Sequence, residues 1–121
     1  MLCTRIVLSL GIFFVCAQSH AGDANRAFAA AQGGDFDTAL LEWTPLAEQG
    51  FARAQYNVGV MHEMGEGVPK YYKTAVKWYT LAAEQGYIFA QYNLALKFFK
   101  GEGVAKDADA AVKWYTLAAE Q

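Results

Sequence analysis

Residues 49–57 read Q-G-F-A-R-A-Q-Y-N, and residues 85–93 read Q-G-Y-I-F-A-Q-Y-N. The two stretches lie 36 residues apart, and aligning 49–84 with 85–120 gives 21 identities, including the unbroken run A-V-K-W-Y-T-L-A-A-E. Self-similarity at a fixed period of this length marks stacked supersecondary units, each unable to bury its apolar face alone. Within a unit the apolar residues recur at spacings of three and four, the helical period. Ala54, Val58, Met61 and His62 fall on one face of a first helix. Gly65 and Gly67 follow, as at a helix C-terminus. Tyr72, Ala75, Trp78, Tyr79, Ala82 and Ala83 mark a second helix, which Gly86 ends. Gly59, Ala75 and Ala82 are small enough for two helix axes to approach closely, with Trp78 filling the remaining space. The second unit repeats this with Ala90, Leu94, Phe98, Gly101, Gly103, Ala111, Trp114 and Ala118. Asp107 is placed to cap the last helix, whereas Tyr71, its counterpart, has no side-chain acceptor for that role, so that start is expected to fray more.

Upstream, residues 22–48 read as a divergent pair. A helix over Ala24–Gln32, a Gly33-Gly34-Asp35 turn and a helix over Thr38–Glu48 are expected. The L-A-E-Q-G at its end answers the A-A-E-Q-G of 82–86. Pro45 inside that helix removes a donor and is expected to kink it near Leu41. The reading is all-α: three antiparallel helix pairs over 22–48, 49–84 and 85–121, with no strands.

The first 21 residues are set apart. Arg5 precedes an apolar run from Ile6 to Cys16, the length of a signal-peptide core and too short to span a bilayer. Cleavage after Ala21 would remove Cys3, Cys16 and both serines, Ser9 and Ser19, and would leave His62 as the lone histidine; cleavage after Ala17 is the alternative. The expected location is periplasmic or extracellular, without disulfides and without a membrane span after cleavage. Lys and Arg number 10 against 12 acids, so no single-sign field recruits nucleic acid.

The repeats resemble the Sel1-like family, a relative of the tetratricopeptide repeat. A-R-A-Q-Y-N-V-G-V-M-H-E-M-G-E-G-V and Y-Y-K-T-A-V-K-W-Y-T-L-A-A-E-Q-G carry the likeness across 49–121, and the 22–48 pair resembles a tetratricopeptide-type opening. The resemblance implies an α-α superhelix, a right-handed solenoid, acting as a non-catalytic adaptor for a protein or peptide partner. His62 and Phe98 stand where the family favours tyrosine. Cysteine-rich members are associated with penicillin binding, but the cysteine pairs are missing here, so that association transfers poorly.

Opposite the core face lie Arg53, Tyr56, Asn57, Val60 and Glu63, answered one repeat on by Phe89, Tyr92, Asn93, Leu96, Phe99 and Lys100. A helix apolar on both sides is sandwiched or presents a groove. This face either packs on the preceding repeat or forms a partly exposed groove that takes a peptide, with the arginine, lysine and asparagines at its border. No cofactor or metal site is expected: the G-E-G-V segments lack the Walker lysine and a preceding strand, and one histidine with scattered carboxylates is poor metal-binding material. An envelope enzyme is the competing class. It would have to work without serine or cysteine after cleavage, and the paired acids Asp35/Asp37 and Asp107/Asp109 are explained by capping. A third reading follows from Gln121, where a new Q-G unit would begin. The outgoing face of the last pair is then open, either to more repeats or to self-association through the C-terminal helix pair.

Overall fold

The computed structural model describes residues 23–121, so the expected signal segment lies outside the described residues. Among the described residues there are six helices and no strand. These are α1 over 23–32, α2 Phe36–Glu48, α3 Ala52–Met64, α4 Tyr72–Glu84, α5 Ile88–Lys100 and α6 Ala108–Ala119. Packing runs from each helix to its neighbour in sequence, α2 on α3, α3 on α4, α4 on α5 and α5 on α6. This nearest-neighbour order makes the described residues a solenoid of antiparallel pairs.

The helix ends show why the period holds. α3 and α5 stop at glycines in the left-handed region, Gly65 at φ 72° and Gly101 at φ 71°, where a Cβ would be strained. The amide of Glu66 returns to the Met61 carbonyl at 2.9 Å, and that of Glu102 to the Lys97 carbonyl at 3.1 Å. Each loop then closes on the same backbone bond, Tyr71 N–H to His62 O and Asp107 N–H to Phe98 O, both 2.9 Å. Two sequences thus fold one connector twice.

The buried residues form two clusters. Ala27, Ala39, Trp43, Leu46, Ala47, Ala54, Val58 and Met61 build the first. Ala75, Tyr79, Ala82, Ala83, Ala90 and Leu94 build the second. The close approach expected at Gly59 is present: a Cβ there would sit 2.7 Å from Tyr79 Cε1 and 3.4 Å from the Ala75 carbonyl oxygen. Trp78 packs on the first cluster and Trp114 on the second. Burying side chains of the size of Val58 or Leu94 contributes about 1.5–3 kcal/mol each.

Three expectations change in detail. α2 begins at Phe36, two residues before the expected Thr38, because the Asp35 carboxylate accepts from Thr38 N–H at 3.2 Å and caps the earlier start. Pro45 lies inside α2, which continues as one helix to Glu48. Tyr71 indeed offers α4 no side-chain cap, yet α4 starts at Tyr72, in register with the capped start of α6 at Ala108. The next repeat packs against that start. The backbone of Gly103, at φ 73°, lies so close to the first turn of α4 that a Cβ there would meet the Tyr72 carbonyl carbon at 2.4 Å. The Gly67 loop sits in the same way on Phe36, at the head of α2.

Candidate functional site

The first helices of the pairs, α1, α3 and α5, share one face, and the expected site residues fall on α3 and α5. Arg53 is exposed at the head of α3, its guanidinium 5.5 Å above the ring of Phe28 on α1. Tyr56 is half-buried among aromatic rings, 5.8 Å from Tyr79, 5.4 Å from Tyr87 and 6.0 Å from Phe89. Burial raises the pKa of the Tyr56 phenol, against the lowering effect of Asn93 beside it. Phe89, Tyr92 and Phe99 are 61, 53 and 56 % exposed, and Phe28 is 45 % exposed. Tyr92 stacks edge-on against Tyr115 at 5.4 Å. Asn57, Val60, Asn93 and Leu96 are half-buried, and Lys100 is exposed. An aromatic strip therefore runs across all three first helices, Phe28 to Arg53 and Tyr56 to Phe89, Tyr92 and Phe99. The direction of packing differs from the alternative entertained above. Tyr56 and Val60 lie against the cluster of the following helices α4 and α5, not against the preceding pair.

Glu63 behaves differently from the rest of the strip. Its carboxylate accepts from the Tyr79 hydroxyl at 2.5 Å and pairs with the Lys97 ammonium. Lys97 is 2 % exposed and also pairs with Glu102 at 2.6 Å, and its ammonium stands 4.6 Å over the ring of Tyr72. Burial pulls the Lys97 pKa down, but the Glu102 and Glu63 hydrogen bonds and charges outweigh it and hold the ammonium above its usual value. Burial, then the bond and charge of Glu63, pushes the Tyr79 phenol far up, so it stays neutral. A protonated lysine and a neutral phenol are states that pair and fix geometry, not those of a nucleophile or base at neutral pH. Periodicity had offered a sign of this network. Lys97 stands where the other repeat has Met61, and Glu63 where it has Phe99. Two opposite charges, each standing where the other repeat has an apolar residue, are the letters that pair.

A second ladder joins the repeats. Gln55 donates to the Ala47 carbonyl and Gln91 to the Ala83 carbonyl, each at 3.2 Å. Gln85 in turn donates to the Gln55 side chain and Gln121 to that of Gln91, each at 2.8 Å. The glutamines of A-Q-Y-N and E-Q-G were legible as repeated letters, but not as partners.

His62 is half-buried, and burial lowers its pKa. The G-E-G-V loop at Gly103 and the head of α4 bound an open depression lined by Lys70, Tyr71, Tyr72, Lys73, Val104 and Ala105, away from the aromatic strip. Among the described residues no cluster of three histidines or acids could hold a metal, and no helix is long and apolar enough to cross a membrane.

A solenoid of two near-identical helix pairs behind a divergent one, with its aromatic strip on the first helices, defines a helical-repeat protein. The Sel1 repeat profile matches residues 52–87 and 88–121, and the chain belongs to the Sel1 repeat family. Among solved structures it is similar to a Sel1 repeat protein from Oxalobacter formigenes, at 37 % identity and a TM-score of 0.77, over 81 % of this chain and 40 % of that one. It is also similar to c5321, a protective antigen of uropathogenic Escherichia coli with an SLR fold, at 35 % identity and a TM-score of 0.81, over 93 % of this chain and 26 % of that one. The chain thus spans less than half the length of either relative. Among curated proteins, none matches it.

Proposed function

We propose that this protein is a non-catalytic scaffold that docks a protein partner on the face formed by α1, α3 and α5, and that it works in the cell envelope or outside the cell. The observation that carries the docking role is the aromatic strip. Phe28 on α1 and Phe89, Tyr92 and Phe99 on α5 keep between 45 and 61 % of their surface in water, with Arg53 over Phe28 and Tyr56 against Phe89 between them. Contiguous exposed aromatics cost solvation without stabilising the fold, and such patches mark interaction surfaces. Membership of a repeat family with interaction roles supports the same reading. The apolar run from Ile6 to Cys16 behind Arg5 supports export.

Affinity capture from envelope extract, with the protein as bait, tests the docking role when run beside the Phe89→Ala/Tyr92→Ala variant. Both side chains are exposed, so the variant keeps its core. A partner retained by the parent, lost by the variant and rebinding as a purified protein supports the reading. Partners held equally by both remove it. N-terminal sequencing of the protein recovered from the periplasm or medium tests export, with Gly22 or Gln18 expected as the first residue.

A further inference from the structure

The docking strip is edged by charge of one sign. α3 and α5 carry Arg53, Lys97 and Lys100 against a single carboxylate, Glu63. That carboxylate is spent inside the molecule on Lys97 and Tyr79, and Lys97 is itself shut from water. What these two helices turn outward is therefore cationic, in a chain whose formal net charge is −2. Among the described residues neither Arg53 nor Lys100 belongs to an ion pair. The Arg53 guanidinium stands 5.5 Å from the centroid of the Phe28 ring. A guanidinium placed against an aromatic face keeps N–H donors for a carboxylate. Lys100 is exposed beside the exposed Phe99, at the tail of α5.

We propose that the partner segment is acidic: an extended stretch with carboxylates flanking bulky apolar side chains. This rests on the docking role proposed above and adds the chemistry of what docks. Arg53 stands at the head of α3 and Lys100 at the tail of α5, so the two cations border opposite ends of the strip. The apolar side chains between the carboxylates lie over Phe89, Tyr92 and Phe99. A basic segment would meet both Arg53 and Lys100, of which only Lys100 has a carboxylate acting on it, that of Glu102, itself paired with Lys97.

Fluorescence anisotropy with three labelled synthetic peptides tests this. One has a glutamate at each end of a Phe- and Leu-containing core, one has glutamine in both places, and one has lysine. The acidic peptide should bind tightest and weaken when salt is raised to about 0.3 M. Arg53→Gln/Lys100→Gln should weaken it about three- to tenfold while leaving the glutamine peptide unchanged. Phe89→Ala/Tyr92→Ala should weaken both. Circular dichroism confirms that the variants fold. If the glutamine or lysine peptide binds as well as the acidic one, and Phe89→Ala/Tyr92→Ala still weakens it, the charge proposal is overturned and the docking strip stands. If no peptide responds to Phe89→Ala/Tyr92→Ala, the docking strip falls and the acidic partner with it.

Discussion

Lys97 occupies a place where the neighbouring repeat has Met61, and the contrast shows what holds a charge inside a small solenoid. The ammonium is 2 % exposed and is answered by carboxylates from two different repeats, Glu63 and Glu102. Removing one side of a buried pair strands the other, and the loss exceeds the value of the pair itself. Lys97→Met should therefore lower the unfolding free energy by about 2–4 kcal/mol, discounted from a fully buried pair because Glu63 and Glu102 keep some contact with water. Adding Glu63→Gln removes the stranded charge and still leaves an acceptor for the Tyr79 hydroxyl. Urea unfolding should show part of the stability regained, and a double variant no better than the single one would refute the pairing account. His62 gives a second test. Its folded pKa lies below the ordinary 6.5 because burial disfavours the imidazolium. The unfolded chain therefore takes up the proton first as pH falls. Stability is fully present above that value and declines as pH drops through it. His62→Phe, which copies Phe98, should flatten the fall in urea midpoint between about pH 7.5 and 5.5. Glu102, whose pKa Lys97 depresses, acts at lower pH and should leave a residual acid slope in the variant.

Connectors carry much of the register between helices. Gly103 presses on the backbone at the head of α4, where any Cβ would meet main chain that cannot swing away. Gly86 has a similar φ of 88° but nothing within 4 Å of the Cβ position. Both alanine variants incur the left-handed penalty, and only Gly103→Ala adds a clash. It should cost about 2 kcal/mol or more beyond Gly86→Ala, read as the difference in thermal or urea unfolding. The helices, their pairing and most of the core were legible before any coordinates, because apolar periodicity and glycine stops are local signals doubled by the repeat. The packing at the head of α4 was not, because the backbone that lies against it, at Gly103, belongs to the next repeat. Likewise α2 starts at Phe36 and not at Thr38, because its cap, Asp35, sits within the Gly33-Gly34-Asp35 turn. On the aromatic strip, Tyr92 and Phe99 were readable from the helical wheel. The engagement of Glu63 was not, since it depends on which way a lysine from the next repeat turns.

Across the whole molecule, stability is distributed unevenly. α4 buries Ala75, Tyr79, Ala82 and Ala83, while α6 buries Ala111 alone and leaves Val112 63 % exposed. In a quasi-one-dimensional array each helix leans on its neighbours, so the one with fewest buried contacts opens first. Hydrogen exchange followed by mass spectrometry should find α6 amides exchanging ahead of those in α3 and α4, and uniform protection would show that the array unfolds as one block. The glutamine ladder sets a further constraint. Gln55 and Gln91 each donate to a carbonyl eight residues back, and Gln85 and Gln121 each donate to a glutamine 30 residues back, so the same two bonds recur with a 36-residue offset. A tandem duplication of residues 52–87 would splice in with every glutamine facing a mate, whereas an insertion of any other length would leave two of them searching. Growth or shortening of such a gene by entire bricks is thus the path of least resistance.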